Sequence, residues 1–375
     1  MKELRRIEPG QTISDWLFLC LHDAYLEARK GKRKKSDEHQ FELHYVEHLM
    51  NLRDQIIERS YRPSPGIAFI TFNPVIREIF AAPFRDRVVH HFLFNACAGW
   101  WDRHFIADSY SCRENKGTLY GIQRAAKHMR RASQNYTRDT YIIKLDIQGY
   151  FMSLPRQKLY EKVMWGLDLQ MPEKGPVYEI CEFLWRQIIF DDPTKGVRKR
   201  GWPYNWKELP ASKSLFTQPP GQGIVIGNLT SQLMSNIYLD QLDRFITLDL
   251  GYKHYGRYVD DFYIIVPGSQ FEQAKRDIKI IDKFLKEKLQ LKLHPKKRYI
   301  QEVHRGMEFI GAYIYPYCLI PSRRLTKHFR AAVKEYMAGN KDDATITSYL
   351  GMMKHLDSKR FTSKVFDSVG WPYQF

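Results

Sequence analysis

Two adjacent aspartates, Asp260 and Asp261, sit inside YGRYVDDFYII (residues 255–265), a run that otherwise reads as buried strand. Neighbouring strand residues face opposite sides, so both cannot enter one apolar core. At a turn between two strands both can approach a cation, and Mg²⁺ supplies the counter-charge that buried carboxylates need. A third carboxylate, Asp146, ends the other apolar strand of the centre, YIIKLDI (141–147). If the two strands are sheet neighbours, Asp146 and Asp260 can share two divalent ions, with Asp261 nearby. That is the arrangement for in-line nucleotidyl transfer: one ion activates a 3′-OH, the other neutralises a triphosphate and its leaving pyrophosphate. The competing reading is an acidic hairpin turn with Asp146 an unrelated strand end; the charge excess and basic flanks weigh against it.

The 375 residues can bury a sizeable core. With 43% hydrophobic and 27% charged residues the chain is globular rather than disordered. A net charge of +17 points to a polyanionic partner, which a small-metabolite enzyme does not need. Charge alone does not separate nucleic acid from acidic lipid or protein. Cys20, Cys97, Cys112, Cys181 and Cys318 lack pairing or metal-ligand spacing, which suggests a reducing, cytoplasmic setting without a zinc site. The start, MKELRRIEPG, has no signal-peptide apolar stretch, and no run approaches the roughly 20 apolar residues of a membrane span. A soluble protein retained in the cell, with no membrane partner, is expected.

Apolar spacing predicts helices over 12–30 and about 37–59, separated by the basic run KGKRKK (30–35), which either touches phosphates or is solvated. YRPSPG stops the second helix, AFITF (68–72) reads as a strand, and helical patterns follow near 75–80 and 84–99. A basic helix is expected at 118–134, and further helices at 155–166, 176–189, 228–250 and 270–289. Residues 191–222, rich in Pro, Gly and Lys, read as a surface excursion. EFIGAYIYP (308–316) suggests a hairpin. Residues 322–375 look helical and carry ten Lys or Arg against five acids. No internal repeat is visible, and no linker marks independent domains.

YVDD and its surroundings resemble the reverse transcriptase family over about residues 60–320. IIKLDIQGYF resembles the first palm motif, GQGIVIGNLTSQLMSNIYLDQLD the next and YGRYVDDFYII the third; LKLHPKKRYI is similar to the fourth and GMEFIGAYI to the primer-grip hairpin. The resemblance implies an α+β, right-hand polymerase fold with fingers, palm and helical thumb. Its divisions would be an N-terminal helical extension at 1–60, fingers at 61–140, a palm at 141–320 with a fingers-side insertion at about 155–222, and a thumb at 321–375. The thumb would track a template–primer duplex. Asp146 and Asp260 would be the principal metal ligands, Asp261 the third catalytic carboxylate and Ile147 a backbone metal contact. Mg²⁺ would be the metal, as two ions with Mn²⁺ able to substitute, and dNTPs the substrates. Phe151 matches the aromatic gate against a 2′-OH; as a residue alone it reads equally well as core. Lys297 matches the lysine near the triphosphate, a proton donor to pyrophosphate. Arg113 and Lys116, in FIADSYSCRENKG, are the implied triphosphate contacts, Arg113 favoured for its forked geometry; either can instead hold template phosphate. Met307, Phe309 and Gly311 fall in the primer grip.

One departure narrows the resemblance. Many relatives place Gln before the glycine of the second palm motif and Ser-Pro soon after; here Ile226 precedes Gly227, and the pair is Ser231-Gln232. The lead-in LPASKSLFTQPPGQGIVIGNLTSQ (209–232) is similar to the enzymes of diversity-generating retroelements, bacterial or prophage-encoded and related to group II intron enzymes. Their reaction copies template RNA into cDNA mutated mainly opposite adenine, for transfer into a variable target gene. The resemblance also implies a template RNA, a primer or cDNA strand, and a small, basic, helical accessory protein assembled as a pentamer. Helix residues Trp16, Leu17 and Leu21, or the region 29–60, are the candidates for that contact. RNase H, integrase and endonuclease activities are not expected. The rivals are a retron, group II intron-like or phage-defence reverse transcriptase without targeted mutagenesis, and a noncatalytic nucleic-acid-binding scaffold.

Overall fold

Thr12 caps the first helix, Ile13–Ala28, by accepting the backbone N–H of Asp15 through its hydroxyl. Trp16, Leu17, Cys20, Leu21, Ala24, Tyr25 and Ala28 recur at helical spacing and are all buried. This face packs on helix Phe84–His104, with the Trp16 and Phe92 rings edge to face at 6.2 Å. Trp16, Leu17 and Leu21 are therefore used inside the chain and offer no surface to an accessory protein. In the region 29–60, by contrast, Leu43, Val46, Met50 and Ile57 are exposed.

The computed structural model describes residues 3–31, 36–72 and 75–371. Most of the basic 30–35 run, residues 32–35, lies outside the described residues. The strands are β1 (Ile67–Thr71), β2 (Arg77–Ala81), β3 (Thr140–Ile147), β4 (Arg198–Arg200), β5 (Tyr255–Tyr258), β6 (Asp261–Pro267), β7 (Leu293–Glu302), β8 (Met307–Phe309), β9 (Ala312–Tyr315) and β10 (Cys318–Pro321). Helices and largely antiparallel sheets together give the expected α+β class. No described helix is long and apolar enough to cross a membrane.

The chain forms two compact units, each assembled from three separate stretches. The first comprises Met1–Ile106, Gly149–Gln241 and Leu285–Leu291. Its sheet has the order β2-β1-β4. Here two expectations fail. The single helix at 37–59 is two, Ser36–Leu43 and Tyr45–Ile57, broken at His44, whose backbone leaves the helical region (φ −130°, ψ 35°). Of the residues near 75–80 read as helical, 77–80 belong to β2. Ile76, Ile79 and Phe80 satisfy helical spacing, but pairing with β1 selects the strand and buries the alternate pair Glu78 and Phe80.

The second unit comprises Ala107–Gln148, Leu242–Phe284 and Lys292–Phe375. Its main sheet runs β5-β6-β3-β7, all neighbours antiparallel. β3 is the central apolar strand, with Ile142, Ile143, Leu145 and Ile147 fully buried. Helix Thr118–Ala132 lays Ile122, Ala125 and Met129 into a core shared with Tyr263, Met307, Phe309 and Phe329. The expected hairpin at 308–316 gains a third strand, β10. Helices Arg323–Met337, Asp343–Met353 and Lys359–Asp367 complete this unit.

Candidate active site

β5 and β6 form a hairpin closed by two residues, since Tyr258 pairs with Asp261 across the turn Val259-Asp260. Val259 has φ +58°, a left-handed conformation unusual for a β-branched residue. On the other side of β6, Asp261 is the cross-strand partner of Asp146. Directly paired residues of antiparallel strands project to one face, so these two carboxylates are on the same side of the sheet. Asp260 joins them from the turn: its carbonyl accepts the Ile147 N–H at 3.0 Å. Sheet pairing thus gathers three acids and Ile147, although the strand partner of Asp146 is Asp261 rather than Asp260.

Two lysines supply counter-charge. Lys297 Nζ lies 2.8 Å from Asp146 Oδ2, and Lys144 Nζ lies 2.9 Å from Asp261 Oδ2. Lys297 reaches Asp146 because the β3–β7 register shifts between Leu145 and Ile147, opposite the segment 294–297. Lys144 stands two residues before Asp146 on β3, hence on the same face, and also lies 5.8 Å from the centre of the Phe309 ring. Burial, then Asp146 and Asp261, push the Asp260 carboxyl up to about 6. Burial also pushes Asp261 up, opposed mainly by Lys144.

Carboxylate oxygens, with no His or Cys among them, are the donors a hard ion such as Mg²⁺ or Mn²⁺ prefers. Among the described residues no three His, Cys, Asp or Glu side chains already converge as a metal cluster. Lys297 and Lys144 hold two of the carboxylates, so the set fits a divalent ion in donor chemistry once an ammonium gives way.

Arg113 and Lys116 lie on a loop attached to β5: Arg257 N donates to Asp108 O, and Tyr110 N to Arg257 O. Arg113 Nη1 donates to the Ser109 carbonyl at 3.1 Å, and Lys116 Nζ to the Ala107 carbonyl at 2.6 Å. Met307 and Phe309 are buried in β8, and Phe309 meets Tyr263 edge to face at 5.1 Å. Gly311, with φ +87°, completes the two-residue turn between β8 and β9.

Phe151, Ile226 and Gly227 belong to the first unit. Phe151 is half-buried in the short helix Tyr150–Ser153, and its carbonyl accepts the Ile224 N–H. Ile226 packs against the cluster of Ala68, Phe80, Met152 and Leu215, and its carbonyl accepts the Phe80 N–H at 2.9 Å. Gly227 has φ +132°, and a Cβ there would meet the Phe80 carbonyl oxygen at 2.4 Å, so a side chain is excluded.

Sequence reasoning missed a buried network beneath the hairpin. Arg257 and Asp243 are both fully buried; Arg257 Nε donates to Asp243 Oδ1 at 2.7 Å and Nη2 to Oδ2 at 2.6 Å. Tyr255 OH donates to the same Oδ1, and Arg257 also reaches Ser109 Oγ and the Val259 carbonyl. The available signal was an arginine in a strand otherwise made for burial.

A family model described as reverse transcriptase (RNA-dependent DNA polymerase) matches residues 76–314. The chain is similar to Protein YkfC of Escherichia coli (strain K12), 23% identical over 301 residues, or 70% of each chain. Among solved structures, the telomerase of Candida tropicalis with a TWJ fragment of telomeric RNA aligns with a TM-score of 0.47 and 12% identity over 82% of this chain. The Candida albicans telomerase with such a fragment gives 0.47 and 10% over 88%. The chain spans 55% and 60% of those two proteins.

Proposed function

The chain belongs to the reverse transcriptase family and has its α+β fold, and from that premise we propose that it copies a template RNA into adenine-mutagenised cDNA as the polymerase of a diversity-generating retroelement. The observation that carries the polymerase reading is the pairing of Asp146 with Asp261 across β3 and β6, with Asp260 on the adjoining turn.

In this reading Asp146, Asp260 and the Ile147 carbonyl would hold two Mg²⁺ ions, with Asp261 as the third carboxylate. Such ions would supply a lowered pKa to a primer 3′-OH and counter-charge to the triphosphate. Lys297, already on Asp146, is the group that gives a proton to the departing pyrophosphate. Arg113 and Lys116 hold the triphosphate. Phe151 rejects a 2′-OH, so deoxynucleotides are selected. The basic helices after Pro321 act as the thumb, residues 61–140 as fingers, and 141–320 as palm.

The mutagenic class rests on Ile226, where an apolar side chain replaces an amide able to hydrogen-bond near the nascent pair. The pentameric accessory protein belongs to the same proposal, with the exposed Leu43, Val46 and Met50 as its contact. A retron-type, intron-like or defence enzyme is the alternative, because the IGNLTSQ segment (226–232) is compatible with either.

Primer extension on a defined RNA with Mg²⁺ and four dNTPs tests both levels. Wild type is compared with Asp260→Ala/Asp261→Ala, with and without the accessory protein, and the products are sequenced. Long cDNA lost in the variant, with errors concentrated opposite adenine, is expected. Faithful cDNA removes the mutagenic class and keeps the polymerase. No product on any template or with any partner removes both.

A further inference from the structure

The stretch joining helix Pro176–Phe190 to the GQG turn (221–223) has no part in the chemistry above. Between residues 195 and 213 it carries Lys195, Arg198, Lys199, Arg200, Lys207 and Lys213 against one acid, Glu208. In the same stretch Trp202 is 71% and Tyr204 59% exposed. Two large rings left in water forgo the burial that aromatic side chains ordinarily gain.

These rings are presented on an arm that is tied down. β4 extends the first unit's sheet by parallel pairing with β1. The buried Glu78 of β2 accepts the Ser214 hydroxyl at 2.8 Å and the Leu215 N–H at 2.7 Å. Lys199 Nζ lies 3.8 Å from the centre of the Phe216 ring and 4.9 Å from that of Trp206. Side chains alternate along a strand, so Arg198 and Arg200 project from the face opposite Lys199. Both arginines are exposed, and Trp202 follows two residues later.

We infer that Arg198, Arg200, Trp202 and Tyr204 form a platform for single-stranded RNA, with bases stacked on the two rings and phosphates held by the two arginines. Sequence-tolerant single-strand binding uses this interleaving of aromatic and basic side chains. A duplex would satisfy the arginines but leave the rings without partners, since its bases are already stacked. A protein-docking core would also favour Trp, Tyr and Arg but would be depleted of Lys, whereas this stretch adds Lys195, Lys199, Lys207 and Lys213. The choice of RNA rests on the polymerase reading, in which template ahead of the copied base is single-stranded.

The test uses the full chain and fluorescence anisotropy with a labelled oligouridine and a blunt RNA–DNA duplex. Trp202→Ala/Tyr204→Ala is expected to weaken oligouridine binding roughly tenfold or more while leaving duplex binding unchanged. Trp202→Phe/Tyr204→Phe keeps the stacking surface and should bind as wild type. Arg198→Ala/Arg200→Ala should lower the slope of log affinity against log salt by about 1.4. Unchanged oligouridine affinity in the double-alanine variant overturns the inference, as does an equal loss on duplex. So does wild-type self-association abolished by the same variant with RNA affinity intact, which would make the face a contact between copies. Primer extension by wild type on a template with a minimal overhang is run alongside. If wild type fails to extend yet loses oligouridine on ring removal, the platform stands and the polymerase reading falls.

Discussion

Arg257 Nη1 donates to the Val259 carbonyl at 3.1 Å, and so holds the one residue of the acidic hairpin turn whose backbone is left-handed. The guanidinium is itself fixed by a bidentate contact to Asp243 and by Ser109. A β-branched residue at positive φ costs on the order of 1–3 kcal/mol and persists only where its surroundings hold it. The buried pair is thus a positioning device for Asp260 and Asp261, which follow Val259 directly. Removing one partner of a buried ion pair costs about 3–5 kcal/mol, so Arg257→Met should mainly unfold the second unit. Arg257→Lys keeps the charge but not the fork. It should lower kcat by roughly tenfold or more, with dNTP KM little changed. Glycine adopts φ near +58° without strain, so adding Val259→Gly should restore part of the lost kcat. A double variant no faster than Arg257→Lys would reduce Arg257 to a core ion pair.

Asp260 gives a prediction whose sign follows from its raised pKa. Its folded value of about 6 lies above the unfolded value of about 3.9, so the folded chain holds this proton more tightly. Stability from the protonated group is present below about pH 4 and is lost as pH rises through about 6. Asp260→Asn should therefore raise the melting temperature of the metal-free chain at neutral pH. The gain is about 1–2 kcal/mol once partial exposure is discounted, and the two proteins should converge in acid. Added Mg²⁺ should stabilise wild type more than the variant. Melts that coincide at neutral pH would show that the three acids are already compensated by Lys144 and Lys297. Polymerisation by Asp260→Asn should fall on the order of 10²-fold or more.

The acids were legible because a carboxylate ending an apolar strand conflicts with its setting, and Asp146, Asp260 and Asp261 did so twice in one chain. Their register was not legible. Nothing in YIIKLDI (141–147) or YVDDFYII (258–265) says that Asp146 faces Asp261, because pairing depends on segments more than a hundred residues apart. β2 was misread for a local reason: five residues satisfy helical and strand periods alike, and the neighbour β1 decides. Arg257 stood out only as a charge in an apolar strand, and its partner Asp243 escaped because it looks ordinary by itself; their significance lies in the fourteen-residue separation that folding closes.

Phe151 is anchored through its own carbonyl, which takes the Ile224 N–H, while its half-buried ring contacts Tyr150 at 5.3 Å. If the ring rejects a 2′-OH, Phe151→Ala should raise the kcat/KM for ribonucleotides roughly tenfold or more relative to deoxynucleotides. Incorporation of each nucleotide against the same template measures this. A ring that is only core would give a less stable protein with unchanged sugar preference.

Ile226 sets a sharper test, because under the mutagenic proposal packing and fidelity would make opposite demands on it. The side chain rests against the cluster of Ala68, Phe80, Met152 and Leu215, while the Phe80 N–H holds the Ile226 carbonyl and Gly227 admits no side chain. The backbone is therefore fixed, and a substitution changes only what the side chain presents. Glutamine loses part of the apolar contact, at a cost of about 1 kcal/mol in stability. It also regains an amide able to hydrogen-bond to base, sugar or template backbone. Ile226→Gln should accordingly melt slightly earlier and yet misincorporate less opposite template adenine. Ile226→Leu, matched in polarity and volume, should keep the wild-type error spectrum. Sequenced primer-extension products from the three proteins separate the two roles. If the glutamine variant is less stable but has the wild-type spectrum, Ile226 serves the core alone, and the mutagenic reading loses the residue on which it rests.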